Sequence, residues 1–384
     1  MKKNIYVVLF ILVCAQNLMG QEYERYKKLT DTTITSQYLG FNKNITVTVP
    51  FEWQKDIDRD FPLIIIFDRQ NPRSHNYIIN TIDYLTSNEQ MPSAVIISVE
   101  SEQEFRYQET QKKISSDKGL AKENEMFIFQ ELIPLAEQQF HASSFRLLIG
   151  HSRYGYFTSS LLFSRINELN SVISLSPFFT QNNVDLTDSV KTLDNLSFNS
   201  TKYYRFGIGN DYPDDFVKMD SAVHLLQNSD LNIKGYLFKE ADHNVTPGLT
   251  IAISLYETFE KWSNIQNEYF SNDQKDLQII DSLNKEIVSH YGCSLEFSLG
   301  ILNGKGWYFY GEKEYDKAIE AWRLLLNSYP NLSEGYLYII DAQVQLQQDA
   351  SKTIEEFNRS LARSEIYTDQ EKKELIQELE SLIK

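Results

Sequence analysis

Hydrophobic positions along the chain fall into short apolar runs that alternate with segments of helical spacing. Residues 32–49 alternate polar and apolar side chains around a Gly-Phe-Asn-Lys-Asn break, and this period of two predicts a β-hairpin. Pro62–Phe67 and Ala94–Val99 are continuously apolar and rich in β-branched residues, as strands are when both faces of a parallel sheet are covered. Tyr77–Thr86 lies between them and has helical apolar spacing, so it predicts a helix.

The same alternation continues for another hundred residues and more. Further helices are predicted over 125–140 and 156–166, and further strands over 145–149, 172–175, 203–208 and 233–238. Strands and helices that alternate at these lengths are typical of a doubly wound α/β sheet. We therefore predict a doubly wound α/β domain over residues 21–265, followed by a smaller all-α domain over 266–384.

The composition changes after about Trp262, where β-branched runs end and Glu, Lys, Gln, Leu and Tyr dominate. Residues 315–322 and 350–357 resemble each other, and Ala318 and Thr353 occupy matching places 35 positions apart. This spacing is close to the ~34-residue period of tetratricopeptide repeats. We predict a tetratricopeptide-like helical domain; an unrelated helical bundle is the alternative.

The first twenty residues have the pattern of a secretory signal. Lys2 and Lys3 precede an apolar run over 5–13 that is too short to span a bilayer. We predict a signal peptide over 1–20 with cleavage after Gly20, although cleavage after Ala15 also fits. The mature protein would then be periplasmic or secreted in a bacterium, with no membrane span.

Charge and motif content exclude several classes of partner. Asp and Glu number 53 against 37 Lys and Arg, a formal net charge of −16, which disfavours binding to nucleic acid or to anionic membranes. No pair of histidines has metal-ligand spacing, and no glycine-rich phosphate loop occurs. We therefore predict no metal and no cofactor. Signal cleavage would leave Cys293 as the only cysteine and so no intramolecular disulfide.

One segment has the order of elements that a nucleophile elbow requires. The apolar strand 145–149 leads into Gly-His-Ser-Arg-Tyr-Gly at 150–155, and a helix follows. In such an elbow the serine, here Ser152, sits on a tight turn, with a helix N-terminus beneath the developing oxyanion. The second glycine of G-x-S-x-G comes one residue late, because Tyr154 stands in its place. A serine at an ordinary strand-to-helix turn is the alternative.

A nucleophilic serine needs a base and an acid that orients the base. His243 follows the predicted strand 233–238, and Asp211 follows the strand 203–208 and a glycine turn. The chain order Ser, acid, His is that of α/β-hydrolases. We predict Ser152 as nucleophile, His243 as general base and Asp211 as the acid; Asp214 and Asp215 remain rivals for the acid.

Taken together, these segments resemble the esterase family of α/β-hydrolases that includes enterochelin esterases, S-formylglutathione hydrolase and feruloyl or acetylxylan esterases. The resemblance covers about residues 32–262. The segments that carry it, in order, are 62–68, Phe105-Arg106, 127–140, Leu148–Ser152, Leu175-Ser-Pro177 and Asp242–Val245.

The resemblance implies hydrolysis of carboxylic esters through an acyl-enzyme, with the residues named above as the triad. It also implies an oxyanion hole formed by the backbone N–H groups of Arg153 and Arg69. Two positions depart from the family pattern: Tyr154 and Arg69 stand where glycine is usual, and both are predicted to place bulk near the pocket.

The predicted substrate is a small-molecule, glycan or siderophore-type ester. Two alternatives remain: a catalytically inactive hydrolase fold that binds a protein partner through its C-terminal helices, and a peptidase with the same triad.

Overall fold

The computed structural model describes residues 23–56, 59–113, 119–181, 183–271 and 276–384. The predicted signal peptide lies outside these ranges, so its cleavage and the export of the protein stay predictions. In the described ranges, no helix combines the length and the hydropathy needed to cross a membrane.

The apolar runs form the strands of one mixed sheet. Its order is β1-β2-β4-β3-β5-β6-β9-β10, with β3 to β10 parallel where they pair in this sheet and the β1–β2 hairpin antiparallel at one edge. A separate ribbon of two short strands, β7 and β8, lies apart from it. The strands are β1 (Tyr26–Thr35), β2 (Asn42–Pro50), β3 (Phe61–Ile66), β4 (Val95–Val99), β5 (Ala142–His151), β6 (Ser171–Leu175), β7 (Thr180–Gln181), β8 (Val184–Asp185), β9 (Lys202–Ile208) and β10 (Leu231–Leu237).

Helices cover both faces of the sheet, which explains why the central strands are apolar on both sides. The helices of this part are α1 (Pro72–Ser87), α2 (Gln103–Glu109), α3 (Ala121–Phe127), α4 (Ile133–Phe140), α5 (Arg153–Arg165), α6 (Leu186–Val190), α7 (Pro213–Val223) and α8 (Thr246–Ser271). α1 and α8 share one buried cluster with alternate strand residues such as Ile64 and Ile149, whereas α3, α4, α5 and α7 share the other with Ile65 and Leu148. The predicted doubly wound α/β fold is confirmed.

The helix predicted over 125–140 is not one regular α-helix. A π-helical turn, Ile128–Leu132, joins α3 to α4, and Pro134 lies in the first turn of α4. Proline has no N–H for the carbonyl four residues earlier, so the hydrogen-bond register shifts at this point.

The C-terminal region is all-helical, as predicted, and packs directly onto the sheet domain. Its helices are α9 (Ile279–Tyr291), α10 (Leu299–Gly311), α11 (Tyr315–Ser328), α12 (Glu334–Gln345), α13 (Ser351–Arg363) and α14 (Asp369–Leu382). Trp262 and Tyr269 of α8 belong to the same buried cluster as Phe309 and Trp322 of α10 and α11. The predicted boundary at 265/266 lies inside α8. Helices α10 and α12 begin 35 positions apart; the assignment to tetratricopeptide repeats stays a prediction.

Candidate active site

Ser152 lies at a sharp turn between β5 and α5. Its backbone has φ 59° and ψ −116°, a left-handed conformation that costs a non-glycine residue free energy and that recurs at functional turns. A Cβ on Gly150 would lie 2.3 Å from the carbonyl oxygen of Tyr154, and one on Gly155 would lie 3.2 Å from Pro177. Both glycines are therefore needed where strand and helix backbones meet, even though the second one is displaced from the usual position.

His243 and Asp211 are in contact. Asp211 Oδ2 lies 2.5 Å from His243 Nδ1, and Asp211 Oδ1 accepts a hydrogen bond from the Gly209 N–H at 3.2 Å. A Cβ on Gly209 would lie 2.2 Å from the carbonyl oxygen of Ala241, so this glycine lets the loops after β9 and β10 approach each other. Because the carboxylate only accepts, Nδ1 carries the hydrogen and Nε2 is left as the basic nitrogen.

The other acidic residues near these loops have different partners. Asp215 Oδ1 accepts from the backbone N–H of Phe179 at 2.9 Å. Asp242 Oδ1 accepts from the N–H groups of Asn244 and Val245, each at 2.9 Å, and so shapes the turn after the histidine. Of the acids considered from the sequence, the structure brings Asp211 to the imidazole.

The His151 side chain lies against His243. Their ring centroids are 4.8 Å apart, and His151 Nε2 donates to the His243 carbonyl oxygen at 3.2 Å. Burial, with a smaller contribution from His243, lowers the pKa of His151 to about 4. This contact brings the imidazole loop to the residue before Ser152, and it was not predicted. The Ser152 hydroxyl itself has no hydrogen-bond partner among the described residues, as is common before substrate tightens a site.

The backbone N–H groups of the two predicted oxyanion donors, Arg153 and Arg69, differ in their hydrogen bonding. Arg153 is the first residue of α5, where backbone N–H groups have no partner within the helix. The N–H of Arg69 instead donates to the Val99 carbonyl oxygen at 3.0 Å. The interpretation of Arg69 as a free oxyanion donor was therefore wrong for this conformation, because the turn after β3 pairs back onto the end of β4.

The two bulky replacements also point elsewhere than predicted. Tyr154 is fully buried, and its ring stacks on Phe67 at 4.6 Å. The Arg69 guanidinium pairs with Asp31 and Glu100. Each side chain is held by partners within the protein.

Helix α2, which the sequence analysis did not predict, lies beside the elbow. Arg106 binds both carboxylate oxygens of Asp68, at 2.7 and 2.6 Å, and donates to the His151 carbonyl oxygen at 3.3 Å. The Tyr107 ring lies 3.7 Å from the Arg153 guanidinium carbon. The arginine in Phe105-Arg106 was noted only as part of the resemblance; its contacts show that it joins the two turns that flank Ser152.

A buried polar cluster anchors the end of α2. Lys43 Nζ lies 2.8 and 2.9 Å from the two carboxylate oxygens of Glu109, and the two side chains are 2% and 0% exposed. Glu109 also accepts hydrogen bonds from the hydroxyls of Tyr154 and Ser101. We call these four residues the Glu109 cluster. Burial, with Glu109, raises the pKa of Tyr154 well above its usual value, so the phenol stays a donor.

In the described residues, no group of three or more His, Cys, Asp or Glu side chains is arranged to hold a metal ion. The groups that the structure brings to this edge of the sheet are Ser152, the imidazole–carboxylate pair and the backbone N–H groups at the start of α5.

Comparison with known proteins places this arrangement in a family. A family model described as "Putative esterase" matches residues 36–229, which include Ser152 and Asp211. The chain belongs to this family. The prediction of the family from sequence is confirmed, and so is the enzyme class, carboxylic ester hydrolase. The matched range ends before His243. No curated protein matches the sequence.

Solved structures share the fold of this esterase family member at low sequence identity. An IroE-like serine hydrolase from Shewanella oneidensis is 16% identical with a TM-score of 0.63, over 78% of this chain and 99% of that one. An uncharacterised protein from Capnocytophaga ochracea is 13% identical with a TM-score of 0.58, over 92% of this chain and 99% of that one. The BES protein from Bacillus cereus is 18% identical with a TM-score of 0.52, over 62% and 97%. The second match extends over most of the helical region as well.

Proposed function

We propose that this esterase cleaves carboxylic esters through a Ser152–His243–Asp211 triad and an acyl-enzyme. The observation that carries the proposal is the 2.5 Å contact between His243 Nδ1 and Asp211 Oδ2, beside a serine with left-handed backbone geometry. Membership of the esterase family supports the same reaction.

The steps follow from these positions. Nε2 of His243 accepts the proton of the Ser152 hydroxyl as its oxygen attacks the ester carbonyl carbon, and Asp211 stabilises the imidazolium. The carbonyl oxygen becomes an oxyanion at the start of α5, where the Arg153 N–H and the helix dipole stabilise it. The imidazolium then protonates the leaving alcohol. Water, deprotonated by the same histidine, hydrolyses the acyl-enzyme.

The substrate class proposed is an ester of a small molecule, including siderophore-type esters. A siderophore hydrolase from Aspergillus nidulans, EstB, has the same fold with a TM-score of 0.50 and 15% identity. The siderophore substrate is named for EstB, and for this esterase it is part of the proposal. We further propose that the N-terminal segment directs export to the periplasm or beyond.

Steady-state hydrolysis of 4-nitrophenyl butyrate tests the proposal. We expect turnover by the wild type and a loss of about 10⁴-fold or more in kcat for Ser152→Ala. Ser164→Ala is a matched control, because Ser164 lies exposed on α5, the helix that follows Ser152. Folded wild-type protein without turnover on this ester or a panel of acyl chain lengths would favour the catalytically inactive alternative.

A further inference from the structure

Arg153 differs from the other arginines around the elbow in its charge environment. Arg69 pairs with Asp31 and Glu100, and Arg106 pairs with Asp68. No carboxylate of the described residues forms an ion pair with the Arg153 guanidinium, although the protein carries an excess of 16 negative charges. A cation left without a counter-ion next to the proposed nucleophile is a feature that folding alone does not require.

Neutral groups hold this guanidinium in place. Nε donates to the Thr110 hydroxyl at 3.2 Å, and the plane lies over the Tyr107 ring at 3.7 Å. With the Gln181 amide turned so that its oxygen faces Arg153, that oxygen accepts from Nη2 at 3.0 Å. The Tyr107 side chain is also a hydrogen-bond partner of this guanidinium. Because a guanidinium has five N–H donors, these three neutral partners orient it and leave donor capacity for a ligand.

Partial burial strengthens an interaction with an incoming anion. Arg153 is neither fully buried nor fully exposed; burial lowers the pKa of its guanidinium, and Tyr107 opposes this to a smaller extent. The burial means that the charge is less well solvated than on an open surface. A carboxylate that reached it would replace poor solvation with a charge-assisted hydrogen bond.

We propose that Arg153 is a specificity-determining residue that binds a carboxylate of the substrate, so that the preferred esters of this enzyme are anionic. The inference rests on the proposed function, because it places the carboxylate within reach of a side chain that directly follows Ser152. Because the protein has a formal net charge of −16, a guanidinium without a counter-ion beside Ser152 offers an anionic ester an attraction that the acidic protein as a whole does not.

Matched ester pairs test the inference. Mono-4-nitrophenyl adipate and 4-nitrophenyl hexanoate differ in a carboxylate on the acyl side, while 4-(butyryloxy)benzoate and its methyl ester differ in one on the alcohol side. For each pair we measure the ratio of kcat/KM for the anionic ester to that for the neutral ester. We expect Arg153→Leu to lower this ratio by about 10- to 100-fold for at least one pair, with Arg153→Lys retaining part of it.

Arg359→Leu is the control, because it removes one positive charge from an exposed position on α13 and should leave both ratios unchanged. Ratios that are the same in wild type and Arg153→Leu for both pairs overturn the inference while leaving the esterase function intact. If wild type hydrolyses none of the four esters, the proposed function fails, and the inference fails with it.

Discussion

The two sides of the elbow in this esterase are built from different chemistry. On the side of the loops after β9 and β10, His243 and Asp211 are 30% and 14% exposed and lie within reach of solvent. On the side of α2, Lys43 and Glu109 are almost completely buried and are fixed by their hydrogen bonds. One side is open to solvent, whereas on the other side the removal of either charge would leave its partner buried without a counter-ion, at large cost.

This difference assigns different tasks to similar residue types. In the mechanism that we propose, the Asp211 carboxylate orients the His243 imidazole as a base, whereas the carboxylate of the Glu109 cluster packs α2 against the elbow. Through α2 the cluster also supports Arg106, which joins the Asp68 turn to the His151 carbonyl oxygen. Substitutions on the first side should therefore reduce turnover while preserving the fold, and substitutions on the second should mainly reduce stability, with a smaller loss of turnover.

The largest effect is expected for Asp211→Asn. The amide can donate to the imidazole and so stabilises the wrong tautomer, which should lower kcat by about 10⁴-fold with little change in unfolding free energy. Asp215→Asn is the matched control, because Asp215 accepts from a backbone N–H. Equal losses in the two variants, measured by ester turnover and urea unfolding, would contradict the assignment of the acid.

Glu109→Ala tests the buried side. It leaves the Lys43 ammonium buried without a counter-ion, so we expect the free energy of unfolding to fall by about 3–5 kcal/mol. The double variant Lys43→Met with Glu109→Ala should lose less than Glu109→Ala alone, because the unpaired charge is gone. Urea unfolding measures the free energy of unfolding of both variants. A smaller loss in Glu109→Ala than in the double variant would contradict this prediction.

Tyr154→Phe tests the buried side more finely, because it removes one hydroxyl from the Glu109 cluster. Glu109 keeps Lys43 and Ser101 as partners, so the loss of one charge-assisted hydrogen bond should lower the free energy of unfolding by about 1–3 kcal/mol. Because α2 is held less firmly, we expect a loss in kcat/KM of less than about tenfold. A loss in kcat as large as that of Asp211→Asn would place the phenol in the reaction itself.

The smallest effect concerns His151, between the two sides. Its pKa in the folded protein is about 4, below the value of about 6.5 that an exposed histidine has, so the unfolded state binds a proton first as the pH falls. Its contribution therefore destabilises the protein progressively from about pH 6.5 to pH 4, by about 1–2 kcal/mol at pH 5. His151→Gln should lose less stability than wild type between pH 7 and pH 5 in urea unfolding; identical pH dependence would refute this.

Much of the fold could be predicted because long apolar runs specify buried strands with little dependence on context. The runs at 62–67, 94–99 and 203–208 all form strands within one residue or so of the predicted bounds. Helix α2 was missed because its seven residues, Gln103–Glu109, are mostly polar and contain no apolar stripe, since Phe105 and Tyr107 are the two aromatic side chains among them. The shift at Pro134 was missed for a similar reason, since it depends on hydrogen-bond register.

From the sequence, the site could be predicted only where chain order and local turns determine the position of a residue. Ser152, Asp211 and His243 each follow a strand, which places them at one edge of a parallel sheet. The Lys43–Glu109 pair joins positions 66 residues apart, and nothing in the local sequence marks either side chain as buried. The paired N–H of Arg69 likewise depends on the approach of the end of β4, a contact that the family pattern does not reveal.

Covalent labelling tests the central claim most directly. The wild type is treated with a fluorophosphonate, and the modified peptide is located by mass spectrometry. We expect one adduct, on the peptide that contains Ser152, formed at a rate that falls sharply in His243→Ala while both proteins remain folded. An adduct on another residue, or labelling of Ser152 at the same rate without the imidazole, would contradict the proposal that His243 activates this serine.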